Sequence, residues 1–351
     1  MLRPRTRTPP AVTRCTPEES LALFARTAVA HIASTDAEGK PLLRTMHVAV
    51  VDGALTFHGG QVGEKLAFVG RDAVVSTEET VATLPSYFFD AERACPATTY
   101  YRSAMAWGRL REVKGPAKRA RVLAGLMDAM QPEGGFAPLD PNNPLYTTAL
   151  ARLAVLELVP ERLLGRRKLG QHKPKEVMEG VLEGLWRRGD PGDLAALEAI
   201  RSAHPDTLRP PFLSLPGARL VVQPSAGHRP GAVDLLEHQY WNQGISRDVL
   251  SRALVGSDAW VVAEDQGQVV ATARAVSDAA KNAMIYDVAV HPERRGHGLG
   301  EALLQRFLDH PRLRGVERVG LGTRDAQPFY QRFGFVESPP RYATMLRTRT
   351  A

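Results

Sequence analysis

At 351 residues the chain is longer than a typical single domain, and its 44% apolar and 24% charged residues are ordinary for a globular protein. No apolar run reaches membrane-spanning length, no secretory signal is recognised, and the two cysteines do not form a metal-type pair, so we expect a cytoplasmic protein without a metal. The net charge of +7 is shared between the two halves, which makes nucleic acid an unfavoured partner.

Short strands dominate the first half. A basic, proline-bearing arm covers residues 1–17, and a short helix is predicted over residues 18–27. Asp52-Gly53 lies between two strand patterns and favours a two-residue hairpin, because both turn positions favour positive φ. Six or so short strands with few helices predict a small closed barrel. The predicted strands cover residues 29–34, 41–51, 54–58, 73–77, 103–113 and 151–159.

Four motifs follow one another in this half: Gly39-Lys-Pro, Arg44-Thr-Met, Leu55-Thr-Phe-His-Gly-Gly with Lys65, and Tyr101-Arg-Ser-Ala-Met-Ala-Trp-Gly-Arg109. In this order they resemble the split-barrel FMN-binding family. Within that group they are most similar to the nitroimidazole-resistance-like branch of the pyridoxamine-phosphate-oxidase superfamily. The resemblance covers residues 1–172.

This resemblance implies an FMN bound at a homodimer interface of the barrel. Arg44 and Lys65 would contact the phosphate, since a dianion needs cations and backbone donors. Glu64 departs from the family pattern, which usually has a second basic residue in this segment. Arg44 in a surface ion pair and His58 as a half-buried structural histidine are the alternatives. The residues expected to line the flavin are Thr45, Met46, His58 and Gly59.

Between the halves, a basic tract over residues 163–174 is expected to close the barrel. Two helices follow, over residues 176–188 and from Asp190 to about residue 203, and then a proline-rich connection. We therefore predict three segments: a split-barrel domain at 1–172, a helical and proline-rich linker at 173–214, and a second domain at 215–351.

The second half mixes helices with strands, whereas strands dominate the first half. Tyr240 and Trp241 are predicted to lie on its first helix, where they either line a pocket or pack. The order predicts an α/β domain. The expected strands cover 218–223, 260–264, 268–276, 284–290, 316–321 and 342–347. The expected helices cover 233–242, 247–254 and 327–333, and one more follows the glycines at 296–300 and includes Leu308.

One stretch of this half predicts an anion site. Residues 284–290 are an apolar, β-branched run typical of a buried strand, Pro292 ends it, and an amphipathic helix begins near Gly300. Free N–H groups and the positive end of the helix dipole point at any phosphate that lies at such a helix N-terminus. The motif is not a Walker P-loop, since no Gly-Lys-Ser/Thr follows, and the Rossmann glycine spacing is absent.

Asp287-Val-Ala-Val-His-Pro followed by Arg295-x-x-Gly298-x-Gly300 resembles the acetyl-CoA pyrophosphate motif of GNAT N-acetyltransferases. Residues 321–335 are similar to the family's late strand and helix with its Phe-Tyr-x-x-x-Gly-Phe signature. The resemblance covers residues 218–351 and implies a mixed, splayed sheet. It assigns acetyl-CoA contacts to Val288, Ala289, Val290, Arg294, Arg295, Gly296, His297, Gly298, Leu299, Gly300 and Asp325.

Acetyl transfer from a thioester needs an uncharged amine and a proton donor for the departing thiolate. Tyr330 matches the family's general-acid tyrosine, and Asp287 is the candidate base, directly or through water. A packing tyrosine and an aspartate that fixes a turn are the alternatives. The sequence therefore predicts an acetyl-CoA-dependent N-acyltransferase for a small amine, fused to an FMN-binding domain. A flavin-dependent oxidoreductase and a flavin-sensing regulatory protein are the rival hypotheses.

Overall fold

The computed structural model describes residues 13–205 and 208–337, and the chain divides into two compact units, residues 1–178 and 179–351. The strand predicted over residues 342–347 lies outside the described residues, as does most of the basic arm. None of the helices in the described ranges has the length and apolar character needed to span a bilayer.

The N-terminal unit is a split barrel. One antiparallel sheet runs in the order β3-β2-β6-β7-β8-β5-β4, and β9 pairs with β1 and β7. The ends of this path, β3 and β4, are neighbours in the chain, so the sheet curls back on itself. The strands are β1 Arg14–Cys15, β2 Val29–Thr35, β3 Pro41–His47, β4 Ala49–Val51, β5 Ala54–Gly60, β6 Asp72–Leu84, β7 Thr98–Glu112, β8 Leu153–Leu158 and β9 Arg162–Lys168.

Three helices accompany the barrel: α1 Pro17–Thr27, α2 Pro116–Met130 and α3 Pro144–Arg152. A capping box starts α1, in which Thr16 and Glu19 each accept a backbone N–H of the other. Its apolar side, with Phe24 fully buried, packs on the barrel core beside Phe57 and Phe68.

Three predictions for this unit need correction. The strand predicted over residues 41–51 is two strands, because the chain turns at the buried Val48, whose N–H donates to the Ala28 carbonyl oxygen at 2.8 Å. The first half of the basic tract, for which no strand was predicted, belongs to strand β9, in which the Arg162 guanidinium lies over the Trp107 ring at 4.4 Å. Helices α2 and α3 were not predicted.

The second unit has an α/β fold with a mixed sheet in the order β10-β11-β12-β13-β14-β15. Strands β14 and β15 are parallel and the other pairs antiparallel. Helix α4 Lys175–Arg188 spans the boundary between the units. The remaining elements are α5 Asp193–Ser202, β10 Ser214–Leu215, β11 Ala218–Val221, α6 Arg229–Glu237, α7 Arg247–Val255, β12 Ala259–Asp265, β13 Gln268–Ser277, β14 Asn282–Val290, α8 Leu299–Leu308, β15 Arg318–Leu321 and α9 Gln327–Gln331.

Two features of this sheet create a cleft. Pairing of β14 with β15 ends at Ile285 and Leu321, so within the described residues the rest of β14 pairs with β13 alone. The β13–β14 register also shifts next to Asp287, which has a positive φ of 53°. The two parallel strands therefore diverge, which is the splay that the sequence predicts.

The helix predicted over residues 233–242 lies earlier in the chain, as α6. Helix α6 ends at Glu237, and Tyr240 and Trp241 lie in a separate 3-10 helix, Tyr240–Asn242. The Asn242 side-chain amide donates to the Leu236 carbonyl oxygen at 3.1 Å, which satisfies a carbonyl at the end of α6. The Gln239 N–H donates to the same carbonyl oxygen at 3.1 Å.

Candidate functional site

The turn before α8 is shaped as an anion cradle. Gly296 and Gly298 both have φ of 77°, and Gly298 is the N-cap of α8. A Cβ at either glycine would meet no protein atom within 4 Å, so the space over this turn is open to a ligand. The first backbone N–H groups of a helix have no intrahelical acceptor, and the helix dipole adds positive potential.

Gly300 has a different role, because a Cβ there would come within 3.3 Å of Val290 Cγ2. The absence of a side chain thus lets α8 start close to the end of β14. Arg295 ties the turn to the same strand, since its Nε donates to the Val290 carbonyl oxygen at 3.1 Å.

A cavity of about 680 Å³ extends from this turn along the diverging end of β14. Its walls are that strand, the start of α8, the helix α9 and the 3-10 helix after α6. The structure brings nine of the predicted site residues to it: Val288, Ala289, Val290, Arg295, Gly296, Gly298, Gly300, Asp325 and Tyr330.

Three other predicted contacts do not line this cavity. Arg294 forms an ion pair with Asp265 at the end of β12. Leu299 is buried in the protein core as the first residue of α8. His297 stabilises the turn through its Nδ1, which lies 2.8 Å from the Arg295 carbonyl oxygen and donates to it.

Tyr330 is half-buried on α9, with its ring edge-to-face against Phe329 at 5.1 Å. Burial, with a smaller effect of the nearby Tyr240, raises the pKa of the Tyr330 phenol above its ordinary value. The phenol is therefore protonated at neutral pH and is available as a proton donor at the cavity wall.

Asp287 is only 8% exposed and lies behind the cavity wall. Its Oδ1 accepts from Trp241 Nε1 at 2.9 Å and from Asn242 Nδ2 at 3.1 Å. Its Oδ2 accepts from Arg274 Nε at 2.5 Å. The carboxylate thus has three donors, one of them a guanidinium with which it forms a buried ion pair.

Tyr240 and Trp241 do line the cavity, which answers the question left open by the sequence. Their rings meet edge to face at 4.9 Å, and the Arg324 guanidinium lies 3.7 Å from the centre of the Tyr240 ring. We call Tyr240 and Trp241 the aromatic wall.

Sequence reasoning missed five other residues of the lining. Arg332 forms an ion pair with Glu301 at 3.0 Å, which joins α9 to the first turn of α8. Phe329 belongs to the quoted Phe-Tyr motif, so a local signal for it existed. The five are Gln239, Glu301, Ala326, Phe329 and Arg332.

A second predicted phosphate site lies in the N-terminal unit, and we call Arg44, Glu64 and Lys65 the Arg44 cluster. Arg44 on β3 forms an ion pair with Glu64. Lys65 donates through Nζ to the Val62 carbonyl oxygen at 2.9 Å, and its side chain covers Gly59, where a Cβ would lie 2.7 Å from Lys65 Cε. The structure thus brings Arg44, Gly59 and Lys65 together, with one carboxylate among them.

The residues predicted to line a flavin surround this cluster. Thr45 Oγ1 lies 3.2 Å from His31 Nδ1, and Met46 packs against the barrel core. The Nδ1 atoms of His47 and His58 are buried and have no hydrogen-bond partner among the described residues. Burial, and secondarily His47, lowers the pKa of His58. Two cations and two unsatisfied ring nitrogens fit a polar, phosphate-bearing ligand, whereas Glu64 opposes its charge.

Comparison with known families agrees with the division of the chain into two domains. A family model described as pyridoxamine 5'-phosphate oxidase matches residues 16–167, and one described as acetyltransferase (GNAT) domain matches residues 256–337. The resemblances predicted from the motifs are therefore confirmed for both domains, and so is the predicted fold class.

Individual relatives match parts of the chain. GCN5-related N-acetyltransferase 1, chloroplastic, of Arabidopsis thaliana is 37% identical over 90 residues, which are 25% of this chain and 46% of that protein. The chain spans less than half the length of the first curated relatives that it matches.

Two solved structures cover one domain each. A Xanthomonas campestris protein described as a GNAT-family acetyltransferase is 32% identical, with 37% of this chain and 94% of that chain covered and a TM-score of 0.33. A Bacteroides thetaiotaomicron protein described as a 5-nitroimidazole antibiotic resistance protein is 15% identical, with 42% and 81% covered and a TM-score of 0.35.

Proposed function

We propose that this chain, in which a pyridoxamine 5'-phosphate oxidase-like domain precedes a GNAT acetyltransferase domain, catalyses acetyl-CoA-dependent N-acetylation of a small amine. The observation that carries the proposal is the cavity at the splayed end of β14. It combines an open glycine turn, a strand edge without a described partner and a half-buried tyrosine. Each of these supplies a part of the chemistry.

The turn and the strand would hold acetyl-CoA. The N–H groups at the start of α8 would bind the pyrophosphate, and Arg295 adds a positive charge beside them. The backbone groups of residues 288–290 would pair with the pantetheine amides as another strand would. Holding the thioester beside the amine turns a bimolecular encounter into an oriented reaction, which accounts for much of the rate advantage.

The reaction itself needs one proton donor from the protein. The lone pair of the neutral amine attacks the thioester carbonyl carbon and forms the new C–N bond. The C–S bond then breaks, and the sulfur takes the phenolic proton of Tyr330, so the products are the amide and CoA thiol. The acylated nitrogen releases its surplus proton to solvent, and the Tyr330 phenolate takes up a proton from solvent.

Calorimetric titration of the purified protein with acetyl-CoA tests the first step. We expect saturable binding with one acetyl-CoA per chain, followed by thiol release when a panel of small amines is added. An absence of saturable binding at millimolar acetyl-CoA would remove the proposal.

We also propose that the N-terminal unit binds a flavin through its phosphate, with FMN as the form and a homodimer of the barrel as its setting. Arg44 and Lys65 would hold the phosphate, and the unsatisfied nitrogen of His58 would contact the flavin ring. A bound flavin would supply hydride or electron transfer, as the rival oxidoreductase hypothesis requires.

Native mass spectrometry tests this second proposal because it reports flavin content and subunit number together. We expect twice the chain mass with flavin bound. A colourless monomer that does not take up added FMN would contradict it. Reduction of the bound flavin by a nicotinamide donor would favour the oxidoreductase hypothesis over a purely sensing role.

A further inference from the structure

We propose that Asp287 is a positioning residue that holds the aromatic wall in place for the acceptor amine. The inference rests on the proposed acetyl transfer and deepens it, because it names the group that sets how the acceptor is received. It assigns Asp287 a different role from the general base that the sequence predicts.

The position of Asp287 in its strand is unusual. It is a non-glycine residue with a φ of 53°, next to the shift in the β13–β14 register. A left-handed backbone is unfavourable for such a residue and persists where other contacts hold it. The bulge turns the Asp287 side chain towards the 3-10 helix Tyr240–Asn242, which supplies two of its donors.

The hydrogen bonds of Asp287 join three separate segments. Arg274 comes from β13, and Trp241 and Asn242 come from the 3-10 helix after α6. Asn242 also donates to the Leu236 carbonyl oxygen, so this short helix is tied both to α6 and to the bulge. Without the carboxylate, the described contacts leave the Trp241 indole N–H without its acceptor.

The same contacts leave Asp287 poorly placed to take a proton from the substrate. Both carboxylate oxygens already accept from nitrogen donors, and the side chain is 5% exposed. Asp287 does not line the cavity, whereas Trp241, whose indole donates to it, does. Any action of Asp287 on the amine therefore passes through Trp241.

The aromatic wall depends on this anchor. The Trp241 side chain is 42% exposed, so packing alone holds it weakly, and its edge-to-face contact with Tyr240 passes its orientation on to that ring. Tyr240 in turn contributes, after burial, to the raised pKa of the Tyr330 phenol. The anchor thus sets the shape of the cavity beside the proton donor.

The test compares the unchanged protein with Asp287→Asn, Trp241→Phe and the double variant. Asp258→Asn is the control, because Asp258 is an exposed aspartate of the same unit whose Oδ2 accepts the Ser277 N–H and which lies outside this cavity. Trp241→Phe removes the hydrogen bond while leaving the Asp287–Arg274 pair intact. It keeps the inference testable where Asp287→Asn does not fold.

For a positioning role we expect the amine KM to rise about tenfold in both single variants, with kcat changed by less than about threefold. The amine KM of the double variant should be no higher than that of the more strongly affected single variant, because both substitutions remove the same Trp241–Asp287 hydrogen bond. The rising limb of kcat with pH should keep its midpoint. A fall of about 100-fold in kcat for Asp287→Asn, with that limb lost and the amine KM unchanged, would instead identify a general base.

A second measurement does not depend on any amine. The chain has four tryptophans, so the Trp241 indole N–H resonance is identified by its disappearance in Trp241→Phe. We expect this resonance to shift in Asp287→Asn and to stay in place in Asp258→Asn. If this resonance shifts in Asp287→Asn but the protein transfers no acetyl group, the positioning role of Asp287 stands and the proposed function is rejected. An unmoved resonance, or an unchanged amine KM in Trp241→Phe with transfer intact, would overturn the inference.

Discussion

The two regions predicted to hold a phosphate are built from different parts of the chain. The turn before α8 offers backbone N–H groups and open glycines, whereas the Arg44 cluster offers charged side chains. Backbone donors at a helix N-terminus are fixed by the fold, but the Arg44 guanidinium is already paired with Glu64. A ligand phosphate must therefore displace a carboxylate in the cluster and no side-chain partner in the turn. The two sites therefore differ more in how far their phosphate-binding groups are preorganised than in their net charge.

Loss of the proton donor in the C-terminal cavity should have the largest effect, and it should act on acetyl transfer without changing flavin binding. Tyr330→Phe is expected to lower kcat about 100-fold, because no phenolic proton then reaches the thiolate. The raised pKa of Tyr330 keeps the donor protonated through neutral pH, so the activity of the unchanged enzyme should fall only above pH 10, its ordinary pKa. The variant should lack that fall.

Steady-state kinetics of thiol release across pH checks this prediction. Tyr87→Phe is the control, since Tyr87 is an exposed tyrosine of the N-terminal unit. Flavin content should be the same in all three proteins. Equal kcat in Tyr330→Phe and the control would show that Tyr330 is not the acid.

A side chain in the glycine turn should weaken acetyl-CoA binding next most strongly. At a φ of 77°, alanine costs about 1–2 kcal/mol, so Gly298→Ala should weaken binding by about tenfold or more. Gly315→Ala is the matched control, because a Cβ there also meets no atom within 4 Å and its φ is not positive. Calorimetry measures both, and equal affinities would mean that the turn does not hold the ligand.

Buried histidines offer a pH-dependent comparison. His310, in the second unit, is 1% exposed, and burial, with Arg312 and Arg314, lowers its pKa from 6.5 to about 3. Its Nδ1 accepts the Arg312 N–H, so it is neutral when folded and takes up a proton on unfolding. Its stabilisation is complete above pH 6.5 and is lost as the pH falls towards 3.

Between pH 6 and pH 5 the unfolding free energy should therefore drop by about 1 kcal/mol more in the unchanged protein than in His310→Phe. Denaturant titrations of the transition of the second unit at the two pH values measure this difference. The same slope in both proteins would show that His310 titrates alike in the folded and unfolded chain.

The smallest expected effect concerns the carboxylate of the Arg44 cluster. Glu64→Gln should strengthen FMN binding about threefold, because exposed ion pairs contribute up to about 1 kcal/mol and this one competes with the phosphate. Lys65→Ala should weaken it. Fluorescence titration with FMN, with riboflavin as the phosphate-free control ligand, measures both. Equal effects on FMN and riboflavin would place the phosphate elsewhere.

Local patterns predicted the strand, turn and helix of the anion cradle well because every part of it lies within a short stretch. The β-branched run, Pro292 and the glycines produce strand, turn and helix without help from distant residues. Helix α2 also has a local start signal, Gly115 followed by Pro116, so its omission reflects a missed pattern and not a physical limit.

Long-range contacts account for the other differences. The charges of β9 hide a strand pattern, yet pairing with β7 makes it a strand with Arg162 over Trp107. Nothing near Arg44 in the sequence shows that Glu64 is its partner, because that pair depends on how β3 packs beside the 3-10 helix Glu64–Phe68.

The sequence by itself determined the resemblance of the two domains to their families, the order of most elements and the turn that begins at Arg295, since these depend on periodicity, glycine and proline. The tertiary structure alone decided the surroundings of the site residues. Asp287 is flanked in the chain by apolar residues, but its partners Arg274, Trp241 and Asn242 come from 13 to 46 residues away. Burial and hydrogen-bond partners decide whether a carboxylate can take a proton, and both arise only when distant segments pack together.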